Sequence, residues 1–345
     1  MTPLPIRIGA RTLGSGCPPF VVAELGYSFT SIEEALESVD AAAKSGADAI
    51  KLQTFRADTV TSRAIDFPPE AGGGSQYEEF KRYEIDAETH RYIFERARAR
   101  GIVPFSTPSH AEDVAMLEDL GVELYKIGSD DLTNLPFLRH VAQLGKPIIL
   151  SSGMATLAEV DEALQVVRAT GNEQVVLLQC VSNYPVEDMG VLNLRVIETF
   201  RRAFPVHVGY SDHAVDLTPA IVAVALGAVL VERHFVLDRT MAVPDAFFSA
   251  DPVQMAALVR AVRDAHGMLG DGHKTPAPSE AGMRLYARKS VIARRSILAG
   301  QTITAEDLIV KRPATGISPR DCETLIGRVA RRDIFLDEAI SWDMV

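Results

Sequence analysis

Eight short apolar runs, each followed by a segment of helical length, leave this chain few folds to choose from. The runs are FVVAELG (20–26), DAIKLQT (48–54), IVPFST (102–107), ELYKIGS (123–129), PIILSSG (147–153), QVVLLQCVS (174–182), VHVGYSD (206–212) and AVLVERHF (228–235). They are nearly continuous in aliphatic and β-branched residues, the pattern of parallel strands covered on both faces. The segments between them are amphipathic. SIEEALESVDAAAKSGA (31–47) opens with Ser31 and Glu34 at capping-box spacing and reaches Gly46 near its end. HAEDVAMLEDLGV (110–122) and TLAEVDEALQVVRATGN (156–172) place apolar residues three and four apart and then meet glycine. Eight strand–helix units across about 265 residues predict an α/β fold of the (β/α)₈ barrel type. An open, doubly wound sheet is the competing arrangement, but no Gly-rich nucleotide fingerprint follows the first run.

The barrel is predicted to occupy residues 1–270. DGHKTPAPSEAGMRL (271–285) is rich in Pro, Gly and polar residues and reads as a linker. From 286 to 345 the pattern changes to short β-like runs joined by turns, a second domain too small to be very stable alone. A net charge of −11 argues against nucleic acid and anionic membranes as partners, since both need basic surface. Cys17, Cys180 and Cys322 are far apart and odd in number, so neither a disulfide framework nor a C-x-x-C metal pattern is expected. The N-terminus lacks the basic and apolar segments of a leader, and no apolar stretch reaches ~20 residues. A cytoplasmic protein is the expectation.

Nearly every strand end carries a functional group: Glu24, Lys51 with Gln53, Ser106 with Thr107, Lys126 with Ser129, Ser151 with Ser152, Ser182, Ser211 with Asp212 and His213, and Glu232 with His234. In a barrel of this kind chemistry sits at the C-terminal strand ends. Lys51 and Lys126 interrupt apolar runs, where a charge is costly unless it faces a polar cavity or a partner. A lone lysine there would snorkel to solvent. Two of them, with hydroxyls at several other strand ends, read as a cradle for an oxyanion or phosphate. His213 and His234 end the seventh and eighth runs, so their imidazoles can meet over one mouth and hold a divalent metal with positions left open. His90, His140, His207, His266 and His273 read as structural. Asp130, Asp131 and Asp245 are either solvated loop charges or ligands for sugar hydroxyls, and by position alone Arg312 is a surface residue.

Taken together, AELG (23–26), GADAIKLQTF (46–55), FSTP (105–108), YKIGSDDLTNLPFL (125–138), GKPIILSSGMATLAEV (145–160), LLQCVSNYP (177–185), GYSDH (209–213), VALGAVLVERHFVLDR (224–239) and the C-terminal RPATGISP…GRVARRDI…SWDM resemble the sialic acid synthase family, which includes N-acetylneuraminate, legionaminate and pseudaminate synthases. The resemblance runs over nearly the whole chain. It implies a (β/α)₈ barrel joined to a small antifreeze-like (SAF) domain, in a homodimer whose small domains are swapped over the partner's active site. It also implies a metal-dependent transferase, Mn²⁺ foremost with Mg²⁺ or Co²⁺ as substitutes, condensing phosphoenolpyruvate with an N-acyl hexosamine to a nine-carbon 2-keto acid and phosphate. By motif, Lys51, Thr107, Lys126, Ser129, Ser151, Ser182 and Ser211 would hold phosphoenolpyruvate. His213 and His234 would ligate the metal. Glu24, Gln53, Asp131, Tyr184 and Asp245 would position the sugar or relay protons, and Arg312 would reach the partner's N-acyl group.

Two stretches depart from the family pattern. Ser28, Phe29, Thr30 and Ser31 stand where N-H-N-G is usual, and Val243, Pro244, Asp245 and Ala246, followed by Phe247 and Phe248, stand where G-P-D-H is usual. Both lie in loops, where substrate choice is made. They remove two imidazoles and an amide and are expected to add aromatic surface, favouring a more apolar, deoxygenated or diacylated acceptor. Two other functions compete with condensation: a metal-dependent aldolase or lyase, which needs no phosphate cradle, and a sugar-binding paralogue without catalysis.

Overall fold

Within each apolar run the side chains alternate between two apolar environments, one inside a barrel and one beneath helices. The computed structural model describes residues 3–68 and 73–345. A hairpin comes first, β1 (Ile6–Ile8) paired antiparallel with β2 (Arg11–Leu13). The eight runs become β3 (Phe20–Glu24), β4 (Ala49–Thr54), β5 (Val103–Pro108), β6 (Tyr125–Ile127), β7 (Ile148–Ser151), β8 (Val175–Cys180), β9 (His207–Asp212) and β10 (Leu230–His234). All are parallel, neighbours in sequence are neighbours in space, and β10 closes on β3 to complete the predicted barrel.

Inward residues of the lower layers, among them Phe20, Val22, Val103, Phe105, Ile149, Leu178 and Leu230, pack with Ile6, Ile8 and Leu13 of the hairpin. The hairpin therefore plugs the N-terminal end of the barrel. Outward residues such as Val21, Ile50, Tyr125, Leu150, Leu177 and Val208 form a larger core with the helices. The helix Ile32–Lys44 starts where Ser31 accepts from the Glu34 amide, and Leu157–Ala169 starts with a complete capping box between Thr156 and Glu159. The long connection from β4 to the helix Ala87–Ala99 carries two short helices, Ala57–Val60 and Gln76–Arg82.

Contacts divide the chain into two units, Met1–Gly270 and Asp271–Val345. In the second unit β11 (Ser290–Ala293) pairs antiparallel with β12 (Leu308–Lys311) over a core that includes Val291, Ile297, Ile303, Leu325, Ile334 and Ile340. Within and just beyond the stretch read as a linker, Ala281–Ala287 wind into a helix, which the good helix formers of AGMRLYA allow. Among the described residues no helix is long and apolar enough to cross a membrane.

Candidate active site

Polarity rises along the inward positions of the barrel. Above the apolar layers the same side of each strand carries Glu24, Lys51, Thr107, Lys126, Ser151, Cys180, Ser211 and Glu232. Pairing sets their neighbours: Glu24 lies opposite Lys51 on one side and His234 on the other, Gln53 lies opposite Thr107, and Ser211 lies opposite both Cys180 and Glu232. A cavity of about 1120 Å³ opens over them.

Four buried charges form its floor. The Lys51 ammonium pairs with Glu24 and donates to Thr107 Oγ1 at 3.2 Å, and lies 3.9 Å from Glu232 Oε1. Lys126 Nζ lies 3.5 Å from the same Glu232 oxygen. Burial works against the Lys51 ammonium, but the Glu232 and Glu24 carboxylates beside it hold its pKa above the ordinary lysine value. Burial likewise works against the Glu232 carboxylate, and Lys126 and Lys51 outweigh it and keep the pKa low. The Lys51 ammonium is thus held in its charged form, and Glu232 is a counter-ion within reach of both lysines. Glu24 Oε1 also accepts from Gln53 Nε2 at 3.1 Å.

Hydroxyls ring this floor. Ser151 Oγ and Ser182 Oγ are buried without a hydrogen-bond partner, and both residues line the cavity. Buried hydroxyls normally find partners, so this pair is arranged for something that enters. Ser129 Oγ accepts from the Gly153 amide at 3.0 Å. A side chain at 153 would collide with the Ser182 and Ser129 hydroxyls, so glycine there keeps both in place.

The two histidines of the mouth come together as the spacing predicts, with ring centroids 5.4 Å apart and planes inclined at 63°. His213 Nδ1 donates to the Val181 carbonyl at 2.8 Å, which leaves Nε2 as the lone-pair nitrogen of a neutral ring. Burial, reinforced by neighbouring His234, lowers the His213 pKa to about 3. His234 Nδ1 lies 3.1 Å from Asp245 Oδ2, without the alignment of a hydrogen bond. A neutral imidazole whose Nε2 meets the Ser211 hydroxyl at 3.5 Å, a second imidazole beside it and a carboxylate at its rim are donors that suit a divalent ion. Among the described residues no group of three or more His, Cys, Asp or Glu gathers to hold one. Water and substrate oxygens would complete the coordination of an open site.

Aromatic rings form the rest of the wall. Tyr184 stacks on His213 with centroids 4.2 Å apart, and Phe248 packs 4.9 Å from His234. Tyr27, Phe55, Phe67 and Phe80 also line the cavity, with Phe55 and Phe80 edge to face at 5.3 Å. The departure at 28–31 contributes differently from the expectation. Phe29 is buried in the helical core, and Thr30 donates to Glu34 at the start of the helix, so neither adds aromatic surface at the mouth. The side chain there is fixed by helix capping and core packing. Phe247 does line the cavity and is exposed, whereas Phe248 is buried.

Lys51, Gln53, Thr107, Lys126, Ser129, Ser151, Ser182, Tyr184, Ser211, His213, His234 and Asp245 line this one cavity, and Glu24 is bonded to two of them. Asp131 is the exception: its carboxylate accepts from Asn134 at 2.8 Å and is outside the lining, where Asp130 stands instead. Desolvation by burial raises the Asp131 pKa. Ser106 and Ser152 bond to Thr54 and to the Leu178 carbonyl, away from the cavity. Arg312 belongs to the second unit, where it is exposed at the end of β12. The reading of strand ends gave no role to Glu232, although a carboxylate flanked by strand-borne lysines was its signal. It did not foresee the aromatic wall of Phe55, Phe67 and Phe80.

Comparison with known proteins agrees with this arrangement. Residues 38–274 match the NeuB family and residues 288–345 match the SAF domain. The N,N'-diacetyllegionaminic acid synthase of Legionella pneumophila is 36% identical over 98% of this chain and 97% of its own. The pseudaminic acid synthase of Campylobacter jejuni is 37% identical over 93% and 95%. The crystal structure of the N-acetylneuraminic acid synthetase of Leptospira borgpetersenii, in complex with citrate, superposes with a TM-score of 0.74 at 31% identity, covering 81% of this chain and 95% of that one. By sequence along both units and by the barrel that carries the site, the chain is a member of the NeuB family, the synthases of sialic, legionaminic and pseudaminic acids.

Proposed function

We propose that the chain condenses phosphoenolpyruvate with an N-acyl hexosamine, N-acetylmannosamine or a diacetamido-dideoxy hexose. The products are a nine-carbon 2-keto acid and inorganic phosphate, with one water consumed. The observation that carries this reading is the floor of the cavity: two buried lysines and two partnerless buried hydroxyls beneath a pair of imidazoles. Relatives named for N,N'-diacetyllegionaminic and pseudaminic acid, matching the chain over more than nine-tenths of its length, support a product of that class.

In this reading Lys51 and Lys126, with Thr107, Ser129, Ser151, Ser182 and Ser211, bind the carboxylate and phosphate of phosphoenolpyruvate, because ammonium and hydroxyl donors match such oxygens. Glu232, within ion-pair distance of both lysines, holds them at the floor. The sugar lies above, with Gln53, Tyr184 and Asp245 orienting it and its aldehyde carbon held over C3 of phosphoenolpyruvate. Glu24, bonded to both Lys51 and Gln53, holds or moves the proton between the two substrates. His213 and His234 would hold Mn²⁺, with Mg²⁺ or Co²⁺ as substitutes, and such an ion when bound polarises the aldehyde oxygen. Arg312 of a second copy of the chain would meet the N-acyl group in a swapped homodimer.

A panel of N-acyl hexosamines with phosphoenolpyruvate and Mn²⁺, followed by phosphate release and product mass, tests this. Phosphate release that requires both sugar and metal, with a product heavier than the sugar by the pyruvyl unit, is expected. Phosphate release without sugar, or no coupled product from any member of the panel, would refute condensation.

A further inference from the structure

Asp212 and Arg233 lie opposite each other across β9 and β10, each one residue before a histidine of the mouth. Being one residue off, they point away from the cavity, between the barrel wall and the helices. Both are buried, at 0% and 3% exposure, with Arg233 Nη1 2.9 Å from Asp212 Oδ2. A buried ion pair is weak evidence for stability, because apolar side chains of the same volume often serve the fold as well or better.

The facing Nη1 and Oδ2 lack the alignment of a hydrogen bond, and the hydrogen bonds of the two residues go to Tyr210 and to the backbone of the loops that follow the two histidines. Asp212 Oδ1 accepts from the Ala214 amide at 3.0 Å and from the Tyr210 hydroxyl at 3.1 Å. Arg233 Nη2 donates to the Val215 carbonyl at 3.2 Å and to the Phe248 carbonyl at 3.4 Å. The carboxylate thus fixes the turn that contains His213. The guanidinium ties that turn to the loop after β10, which holds Asp245 beside His234 and Phe248 against its ring.

We propose that Asp212 and Arg233 are the positioning pair of the metal site, setting the separation and facing of His213 and His234 and, through them, the affinity for a divalent cation. This rests on the reading of those histidines as metal ligands. Neither residue touches substrate or metal, so both act through the imidazoles. A pair that merely held the fold together would, when altered, weaken every ligand alike or none. A positioning pair weakens the metal selectively.

The test titrates the metal-free full chain with Mn²⁺ alone, following free Mn²⁺ by electron paramagnetic resonance. Phosphoenolpyruvate affinity is measured separately by calorimetry in metal-free buffer. Asp212→Asn, the charge-neutral double variant Asp212→Asn with Arg233→Gln, and Arg233→Lys are compared with wild type and with His213→Ala. Outer partners of metal ligands are worth on the order of 10–100-fold in metal affinity. Asp212→Asn and the double variant are expected to bind Mn²⁺ that much more weakly, with phosphoenolpyruvate affinity unchanged. Arg233→Lys, which keeps the charge but not the reach to two carbonyls, should fall between. If Asp212→Asn does not fold, the double variant and Arg233→Lys decide. Mn²⁺ affinity unchanged in folded variants, or lost in parallel with phosphoenolpyruvate affinity, overturns the positioning role alone. A wild-type chain that binds no Mn²⁺ overturns the metal reading itself and this inference with it.

Discussion

Lys126 shows how tightly charge and ligand are coupled at single positions. Removing its ammonium in Lys126→Ala takes away one of the two cations that keep Glu232 ionised and one donor of the proposed phosphate site. Hydrogen bonds to charged groups contribute roughly 1.5–3 kcal/mol, so phosphoenolpyruvate affinity should fall by about one to two orders of magnitude in calorimetry. The variant should also melt lower, since Glu232 loses a partner. Adding Glu232→Gln should restore the melting temperature but not the affinity, and restoration of both would show that Lys126 serves only the fold. Lys126 and Lys51 were legible in the sequence because a charge inside an apolar run is conspicuous. Asp130 and Asp131 could not be told apart there, because β6 ends at Ile127 and beyond it no period says which carboxylate turns inward.

Between elements, one contact carries a pH dependence. His90, on the helix Ala87–Ala99, donates from Nδ1 to the Asp86 carbonyl, so its Nε2 accepts from Thr54 of β4, whose oxygen in turn meets Ser106 of β5. Burial lowers the His90 pKa below the ordinary value of about 6.5. Below about pH 6.5 the unfolded chain binds a proton that the folded chain refuses, so the stability from this tie is complete above that pH and is lost as pH falls toward the folded value. The difference in melting temperature between wild type and His90→Gln should therefore shrink from pH 7 to pH 5. A constant difference would contradict a neutral His90 in the fold. At this scale the eight strands were legible, since each combines aliphatic content with flanking turn residues. The hairpin Ile6–Leu13 was not, because three-residue strands are too short to show a period. Nor was the wall of Phe67 and Phe80, since the long connection after β4 has no periodicity tying those rings to Tyr27 and Phe55.

For the molecule as a whole, each unit has its own apolar core, and the proposed swapped homodimer would build every site from two chains. His213→Ala and Arg312→Ala would then be inactive for reasons in different units. Unfolded together and refolded in equal amounts, they should recover about a quarter of wild-type activity, because half the dimers are mixed and one site in each is intact. No recovery would mean that each barrel works with its own Arg312, and an active Arg312→Ala by itself would mean that the barrel works without it. The change of pattern near 286 was legible, but the second unit begins at Asp271, in the stretch read as a linker, and which copy's Arg312 would serve which barrel is a matter of assembly that no local pattern encodes.

The plug formed by Ile6, Ile8 and Leu13 has a consequence for traffic. With the base of the barrel filled by apolar side chains, the described residues leave no way to the cavity from that end. With phosphoenolpyruvate on the lysines and the sugar above it, as proposed, the first would have to enter before the second and could not leave while it is there. Occupancy would then be last in, first out, and a sugar that bound early would shut out its own co-substrate.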